Sequence, residues 1–267
     1  GYSDSTKRGA WDYNWLPFDL PGDTGYWTKA SVGSVTESLS SGYLSLAIAA
    51  GSNAVHYQNS PTTDIFKDGL IVRFSLICTV GSLTNVNIGV RLRLAQTSPA
   101  SNDYDVTIAF SPSNFKVYDN NASAQIGSNV SIDMTTEREF IVAMKGGTTG
   151  NNDGVYQVWY RTKNSASDRE WTKSIGSTTL NNDTSSASST CLIDWGIIAA
   201  GAGTCKWSEF HVSKSQSAGQ NITAQVNPSD IWAKPYATAG YRAYINGGTF
   251  VTAFGGPARK NDLFSVS

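Results

Sequence analysis

Apolar and polar residues alternate most clearly along residues 153–212 of this chain. Residues 155–161, 191–198 and 205–212 are rich in β-branched and aromatic side chains with a period of two, and clusters of Gly, Asn, Asp and Ser separate them. Successive side chains of a strand point to opposite faces, so this period predicts strands with one face in a core and the other in water. The stretch therefore predicts antiparallel β-strands.

The same alternation extends upstream. Further strands are predicted at residues 42–49, 54–57, 69–80, 87–95, 104–110, 115–118 and 139–144. In the longest of these, one face is predicted to carry Leu70, Val72, Phe74, Leu76 and Cys78, and the other Ile71, Arg73, Ser75, Ile77 and Thr79. Residues that favour helices are scarce relative to Ser, Thr, Asn and Val. The predicted fold class is all-β, an antiparallel two-sheet sandwich with a small C-terminal β-rich extension.

The composition changes after residue 212, which predicts a domain boundary. Residues 1–213 are expected to form the sandwich with an aromatic N-terminal segment, and the polar stretch 214–220 is expected to be a linker. Residues 221–267 are predicted to be a small β-rich extension or the start of a further domain. They are too few to hold a core alone, so they are expected to pack on the sandwich, on another copy of the chain or on a further segment.

Charge and composition narrow the classes of function. Of the 267 residues 15% are charged, and the formal net charge is -1. No long-range positive field exists to concentrate a polyanion, so nucleic-acid binding is not expected. We expect no membrane span, because no apolar run approaches about 20 residues, and no signal peptide. A surface supplied by Ser, Thr, Asn and Gly is typical of an extracellular or virion-surface β protein.

Three cysteines, Cys78, Cys191 and Cys205, cannot all pair within one chain. If residues 190–198 and 204–212 formed a direct hairpin, Cys191 and Cys205 would lie at opposite ends of it, and a disulfide between them would be excluded. Three buried free thiols are therefore favoured. A disulfide between Cys191 and Cys205 stays open as the alternative.

The first thirty residues are aromatic and irregular, because prolines and glycines interrupt them. Their rings could form a platform on which sugar rings stack, and the candidate ligand-binding residues are Trp11, Trp15, Tyr26 and Trp27. The alternative is a lid of aromatic side chains that closes one end of the sandwich. Core packing is the expected role of three later tryptophans, Trp159, Trp195 and Trp207.

Four short segments carry a resemblance to a known superfamily, at residues 115–118, 139–144, 155–160 and 207–212. Their order and spacing, within glycine-punctuated strands over about residues 31–212, resemble the concanavalin A-like sandwiches that include laminin G-like modules. The resemblance implies a two-sheet jelly roll. The superfamily includes lectins, non-catalytic carbohydrate-binding modules, laminin-type protein binders, glycoside hydrolases and polysaccharide lyases, so the fold alone does not select a function.

The resemblance implies what an enzyme of this fold should carry. A hydrolase should show two glutamates flanking an aspartate on a strand, but residues 137–139 are Glu-Arg-Glu, which we expect to be the solvated start of a strand. A lyase should show a Tyr or His base beside Arg and Gln on one face. Alternation sends Tyr156 and Tyr160 to one face and Gln157 and Arg161 to the other. We therefore expect no enzymatic activity.

Calcium is the one metal that the resemblance implies. Its possible donors are Asp103 and Asp105, or Asp153 with neighbouring asparagines, although such clusters more often shape turns. Zinc is not expected, because His56 and His211 are the only histidines and no cysteines have zinc-site spacing.

The leading hypothesis is a non-catalytic, lectin-like recognition module that binds glycan or another surface polymer. The alternative is a structural protein of a virion or bacteriophage, at its surface, as a decoration or in its tail. Such a protein would contact other copies of itself or a larger assembly through residues 221–267. A polysaccharide hydrolase or lyase is the second alternative.

Overall fold

The computed structural model describes residues 13–49, 51, 54–61, 69–96, 102–147, 152–163, 171–183, 190–214, 242–246 and 249–253. Within them the chain forms seventeen strands and one short 3₁₀ helix, Pro21–Thr24. The strands are β1 (Tyr13–Trp15), β2 (Thr28–Val32), β3 (Thr36–Ser40), β4 (Tyr43–Ile48), β5 (Ala54–Asn59), β6 (Leu70–Val80), β7 (Ile88–Gln96), β8 (Asn102–Ser111), β9 (Asn114–Asp119), β10 (Ala124–Ser131), β11 (Arg138–Lys145), β12 (Gly154–Thr162), β13 (Thr172–Leu180), β14 (Leu192–Ile197), β15 (Gly203–Lys214), β16 (Arg242–Asn246) and β17 (Thr249–Ala253).

Two antiparallel sheets make up the sandwich. Sheet A has eight strands in the order β13-β12-β11-β6-β15-β4-β3, and β1 pairs with β15 beside this path. Sheet B has seven strands in the order β10-β9-β8-β7-β14-β5-β2. Buried side chains from both sheets form one hydrophobic cluster between them. The architecture confirms the predicted all-β fold with an antiparallel two-sheet sandwich.

The central strand β6 shows why these residues form a sheet between a core and an outer face. One face is fully buried in the core between the sheets and carries the predicted set Leu70, Val72, Phe74, Leu76 and Cys78. The alternation places Arg73 and Ser75 on the face of sheet A that points away from this core, which we call the outer face. The two predicted faces of this strand are confirmed.

The core is aromatic at its centre. Trp195 of sheet B stacks on Phe210 of sheet A, with ring centroids 4.7 Å apart and an angle of 8° between the planes. Trp207 meets Trp195 edge-on at 5.1 Å. Trp195 and Trp207 are therefore packing residues, as predicted. Trp159 is also buried, but it packs with Ile71 in a separate small cluster on the outer face of sheet A.

The strands that flank the turn near residue 200 do not form a hairpin. β14 pairs with β5 and β7 in sheet B, whereas β15 pairs with β4 and β6 in sheet A. Cys191 and Cys205 therefore belong to opposite layers of the sandwich. The prediction of three buried free thiols is confirmed, and Cys205 lies opposite Cys78, not near Cys191.

The predicted division into domains stays a prediction. β15 ends at Lys214, and the rest of the proposed linker, residues 215–220, lies outside the described residues. In the C-terminal extension the structure describes one antiparallel pair, β16 with β17. None of the described segments forms a helix that is long and apolar enough to cross a membrane.

Candidate functional site

One lateral side of the sandwich is closed by an ion pair between the two sheets. β2 is the edge strand of sheet B and β3 is the edge strand of sheet A, although they follow one another in the chain. The turn between them uses Gly33 at a φ of 75°, which a residue with a Cβ rarely adopts. Lys29 of β2 pairs with Glu37 of β3, so one contact joins the two layers at this side.

A pocket of about 540 Å³ opens at the same place, and we call it the lateral pocket. The 3₁₀ helix, β2 and β3 surround it. Its lining includes Asp23, Trp27, Thr28, Lys29 and Glu37. Its lining residues therefore include two acidic residues, a threonine, a lysine and the largely buried Trp27, and its volume lies in the range of about 300–1,000 Å³ that is common for small-molecule sites.

Local sequence fixes the wall of the lateral pocket. The 3₁₀ helix has Pro21 buried at its start and ends on Gly25, whose φ of 77° is left-handed. Tyr26 follows this turn and is 40% exposed; it lies between the lining residues Gly25 and Trp27 in the chain but is not itself a lining residue. The side chain of Asn59 donates a hydrogen bond of 2.6 Å to the carbonyl oxygen of Tyr26, and the ring of Tyr13 meets the Tyr26 ring edge-on at 6.2 Å.

Two buried polar atoms belong to residues that line the lateral pocket. Nε1 of Trp27 and Oε1 of Glu37 are each buried and have no hydrogen-bond partner among the described residues. The Glu37 side chain is only 8% exposed, and its other oxygen pairs with Lys29. These two unpaired atoms are unusual, because buried polar groups are nearly always satisfied.

The four predicted ligand-binding aromatics are distributed differently from the expectation. Trp11 lies outside the described residues. Trp15 is fully buried, its Nε1 donates to the carbonyl oxygen of Asp19, and its ring packs 5.3 Å from that of Trp195. Trp27 is 3% exposed and packs edge-on against Trp195 at 5.8 Å.

These positions give the aromatic segment two roles. Trp15 and Trp27 pack on the core, as the lid alternative predicts, and Trp15 has no exposed face on which a sugar could stack. Tyr26 keeps an exposed ring. Ligand binding by this segment stays a prediction, and among the described members of the set Tyr26 is the one whose position suits it best.

The three candidate calcium donors have other partners. Arg91 holds Asp105 through two nitrogens, with Nη2 at 2.6 Å. Asn121 donates to Asp103, and the Tyr104 hydroxyl donates to Asp153 at 2.9 Å. In the described part of the chain, no group of three or more His, Cys, Asp or Glu side chains is placed to hold a metal ion. Asp103, Asp105 and Asp153 therefore form no common site, and calcium binding stays a prediction.

The outer face of sheet A carries a continuous set of charged side chains, which we call the outer ionic network. Its members are Arg73, Glu137, Glu139, Arg161, Lys163, Glu209 and His211. Strand register brings them together, because β6 lies between β11 and β15 and Ser75 is the pairing partner of both Glu139 and Glu209.

The contacts within the outer ionic network are dense. Arg73 pairs with Glu139 and lies 3.6 Å from Glu209, while Nε of Arg161 donates to Glu139 at 2.7 Å. Lys163 lies 3.1 Å from Glu209 and 3.2 Å from Glu137. The expectation that residues 137–139 are solvated was wrong for Glu139, whose side chain is 1% exposed. It is buried because sheet neighbours supply two guanidinium groups to it.

His211 and Glu209 influence each other in this network. Burial lowers the pKa of His211, so its ring is neutral at neutral pH. Burial alone would raise the pKa of Glu209, but the hydrogen bond with His211 and the charges of Arg73 and Lys163 outweigh burial and hold that pKa far below its ordinary value. Nε2 of neutral His211 therefore donates to the Glu209 carboxylate across 3.2 Å.

The lyase-type constellation does not assemble. Tyr156 lies in the core and Tyr160 packs against it, while Gln157 and Arg161 take the opposite face, as the alternation predicts. Sequence reasoning did not single out Arg73, Glu209 or His211 as a group. Alternation could place each on a polar face, but only the pairing of β6 with β11 and β15 brings them into contact.

Comparison with known proteins gives a likeness of fold. No protein-family model matches the chain, and no curated protein matches it. The Ca2+/Man-bound form of the VIP36 exoplasmic/lumenal domain is 12% identical, with 83% of this chain and 96% of that chain covered and a TM-score of 0.46. A carbohydrate esterase from the Shiga toxin-encoding bacteriophage phi24B is 12% identical, with 76% and 97% covered and a TM-score of 0.47.

A PL-14 alginate lyase from Aplysia kurodai is 10% identical, with 70% of this chain and 91% of that chain covered and a TM-score of 0.44. All three likenesses are low in sequence identity. They concern the arrangement of strands and carry no information about a ligand or an activity of this chain.

Proposed function

We propose that this chain is a non-catalytic recognition module that binds glycan or another hydroxyl-rich surface polymer at the lateral pocket. The observation that carries the proposal is the lateral pocket itself, together with the exposure of Tyr26, which lies between the lining residues Gly25 and Trp27 in the chain. Sugar rings present flat C–H faces that pack on aromatic rings, and their hydroxyls bond to carboxylate, hydroxyl and ammonium groups. The lining residues supply carboxylate, hydroxyl and ammonium groups, and Tyr26 supplies the exposed ring.

The composition is consistent with the extracellular or particle-surface location that this proposal implies. The surface is poor in charge and rich in Ser, Thr, Asn and Gly, which suits an extracellular or particle-surface protein that meets polymers outside a cell. A binding site on a fixed edge of a rigid sandwich also suits recognition, because the strands hold the polar groups in place before the ligand arrives.

The substitution Tyr26→Ala tests the proposal. Its binding to immobilised and soluble polysaccharides is compared with that of the wild type by affinity electrophoresis and a glycan array. Loss of one stacking ring should weaken binding about tenfold, which corresponds to about 1.4 kcal/mol. The melting temperature should stay close to that of the wild type, because the Tyr26 ring is partly exposed.

Phe18→Ala is the matched control. Phe18 is an aromatic residue that is 70% exposed and, unlike Tyr26, does not lie between two lining residues of the lateral pocket in the chain. Its substitution should leave binding within about twofold. Equal losses in both variants, or no loss in Tyr26→Ala, would contradict a site at this pocket.

The outer ionic network supports a second candidate, the turnover of a polysaccharide. Glu139 and Glu209 lie on one sheet face and both contact Arg73, and hydrolysis of glycosides uses two carboxyl groups that flank the scissile bond. A panel of polysaccharides is incubated with the protein and assayed for reducing ends and for unsaturated products. Activity that disappears in Glu209→Gln but persists in Tyr26→Ala would replace recognition with catalysis as the main function.

A further inference from the structure

We infer that the lateral pocket prefers sugars that carry an ammonium group over neutral and acidic sugars, and that Asp23 is the residue that sets this preference. The inference rests on the proposed function and deepens it by naming the class of glycan. It is carried by the charged residues that line the pocket, Asp23, Lys29 and Glu37.

Two of these three charged residues neutralise each other. Lys29 pairs with Glu37 across the two edge strands, and the Glu37 side chain is only 8% exposed. Lys29 is the only basic residue among the lining residues. A ligand that enters the pocket therefore meets an ammonium group that is already paired and a carboxylate of Glu37 that is largely covered.

Asp23 is the lining carboxylate that remains for a ligand. It is exposed, and its side chain has no hydrogen-bond or ion-pair partner among the described residues. The backbone that carries it is held in place, because its N–H donates to the carbonyl oxygen of Leu20 at 2.9 Å. In the same turn, the hydroxyl of Thr24 donates to the carbonyl oxygen of Pro21 at 2.7 Å. Asp23 therefore presents an unpaired carboxylate from a fixed turn.

The charge of the lining distinguishes three classes of sugar. Two carboxylates and one ammonium group leave one net negative charge. A ligand ammonium group can donate to the Asp23 carboxylate, and charge-assisted hydrogen bonds are stronger than neutral ones. A neutral hydroxyl can donate to the same carboxylate, but it gains no attraction between charges. A ligand carboxylate has no proton to donate and meets a like charge, so acidic sugars should bind most weakly.

The test uses polymers that differ only in charge. A soluble neutral polysaccharide, its aminated derivative and its carboxylated derivative are each titrated against the full chain by calorimetry at neutral pH, where an alkyl ammonium group is charged. The aminated form should bind about two- to fivefold more tightly than the neutral parent, which is the range expected for one exposed ion pair. The carboxylated form should bind more weakly than the parent.

Two further measurements show whether charge causes the preference. N-acetylation of the aminated polysaccharide removes its charge and should return its affinity to that of the neutral parent. Higher salt should reduce the preference of the wild type, because screening weakens the attraction between exposed charges. A preference that survives both acetylation and high salt would overturn the inference.

Substitutions of two exposed aspartates assign the preference to a residue. Asp23→Asn removes the charge and keeps the size of the side chain, so the aminated and neutral forms should bind equally. Asp23→Glu keeps the charge and should keep the preference. Asp19→Asn is the matched control, because Asp19 is also exposed but does not line the pocket. Its preference should equal that of the wild type.

Equal losses in Asp23→Asn and Asp19→Asn would mean that the net charge of the protein attracts the ligand, and would overturn the inference. Circular dichroism and melting temperature show whether the variants fold. If Asp23→Asn does not fold, the acetylated ligand and the salt dependence of the wild type decide.

Failure of this inference can be distinguished from failure of the proposed function. If no polysaccharide binds, or if binding does not depend on Tyr26, the proposed function fails and this inference fails with it. If binding depends on Tyr26 but the neutral or carboxylated form binds as tightly as the aminated form, the inference alone is overturned. Polylysine, which carries ammonium groups but no sugar ring, should bind more weakly than the aminated polysaccharide. Equal binding of polylysine would show a site for cations and not for sugars.

Discussion

Cys205 lies directly opposite Cys78 on the neighbouring strand of sheet A, and both thiols are buried in the core. Burial raises the pKa of Cys78 to about 12 and also raises that of Cys205. The thiolate is the reactive form, so neither thiol should react in the folded protein. Maleimide labelling followed by intact mass should show no label on the folded chain and three labels after unfolding in guanidinium chloride.

A result of fewer than three labels in the unfolded, unreduced protein would reveal a disulfide. Since β14 and β15 belong to different sheets, a bridge from Cys205 would then connect to Cys78, its neighbour across the strands, and not to Cys191. Reduction before labelling would restore the missing labels. Peptide mapping would then identify the two cysteines that were linked.

Trp15→Ala should destabilise the protein and not only affect binding. The Trp15 ring is fully buried against Trp195, so its removal leaves a cavity that costs about 3–5 kcal/mol. Urea unfolding followed by circular dichroism measures the change. The exposed control Phe18→Ala should change the free energy of unfolding by less than about 0.5 kcal/mol. Normal stability with lost binding in Trp15→Ala would instead restore the role in ligand contact predicted from the sequence.

Arg73→Met should be strongly destabilising. The substitution keeps the apolar stem but leaves Glu139 and Glu209 on the outer face without the cation between them. Breaking a buried ion pair by removing one partner costs about 3–5 kcal/mol, and we expect the lower end of this range because Arg161 still contacts Glu139 and Lys163 still contacts Glu209. Lys116→Met, which removes only a contact 5.5 Å from the Tyr118 ring, should cost less than about 1 kcal/mol. Equal effects of the two substitutions in urea unfolding would show that the outer ionic network does not stabilise the fold.

The stability of the protein should fall as the pH drops from about 7 towards 5. Burial holds the pKa of His211 below its ordinary value of 6.5, so in this range the unfolded chain binds a proton that the folded chain does not. The free energy of unfolding therefore decreases with falling pH, by up to about 1.4 kcal/mol per unit. Arg73, Lys163 and Glu209 face the ring, and the low pKa of Glu209 adds a further loss only at more acidic pH.

His211→Gln is the control for this pH dependence. The amide cannot be protonated, so urea unfolding of the variant between pH 7 and 5 should show a shallower decrease than that of the wild type. Parallel curves for the two proteins would mean that another group carries the proton uptake.

The two faces of β6 could be predicted because the side-chain period of a strand is a local property. The neighbours of a strand are not a local property. β14 and β15 follow one another with a short turn between them, yet they lie in opposite sheets. For the same reason the contact of Arg73 with Glu139 and Glu209 could not be predicted, since it depends on β11 and β15 flanking β6.

For the aromatic segment, too, the sequence could not predict which side chains are buried and which are exposed. Composition indicates that rings are concentrated there, but which of them are covered depends on partners far along the chain. Trp195 and Phe210 bury Trp27, while Tyr26, one residue earlier, stays exposed. The lateral pocket lies within the predicted region, whereas the contribution of Glu37 comes from the next edge strand. Assembly through residues 221–267 stays a prediction.

The ion pair between Lys29 and Glu37 joins the edge strands of the two sheets, so the lateral pocket lies between the sheets and not within one of them. A ligand bound there would contact both β2 and β3, and so would form a second link between the two sheets beside the ion pair. Opening fluctuations of these edge strands should then become rarer when the pocket is occupied. Slower amide hydrogen exchange in β2 and β3, with the distant strands β10 and β13 unchanged, would report occupancy even for a ligand that binds too weakly to isolate.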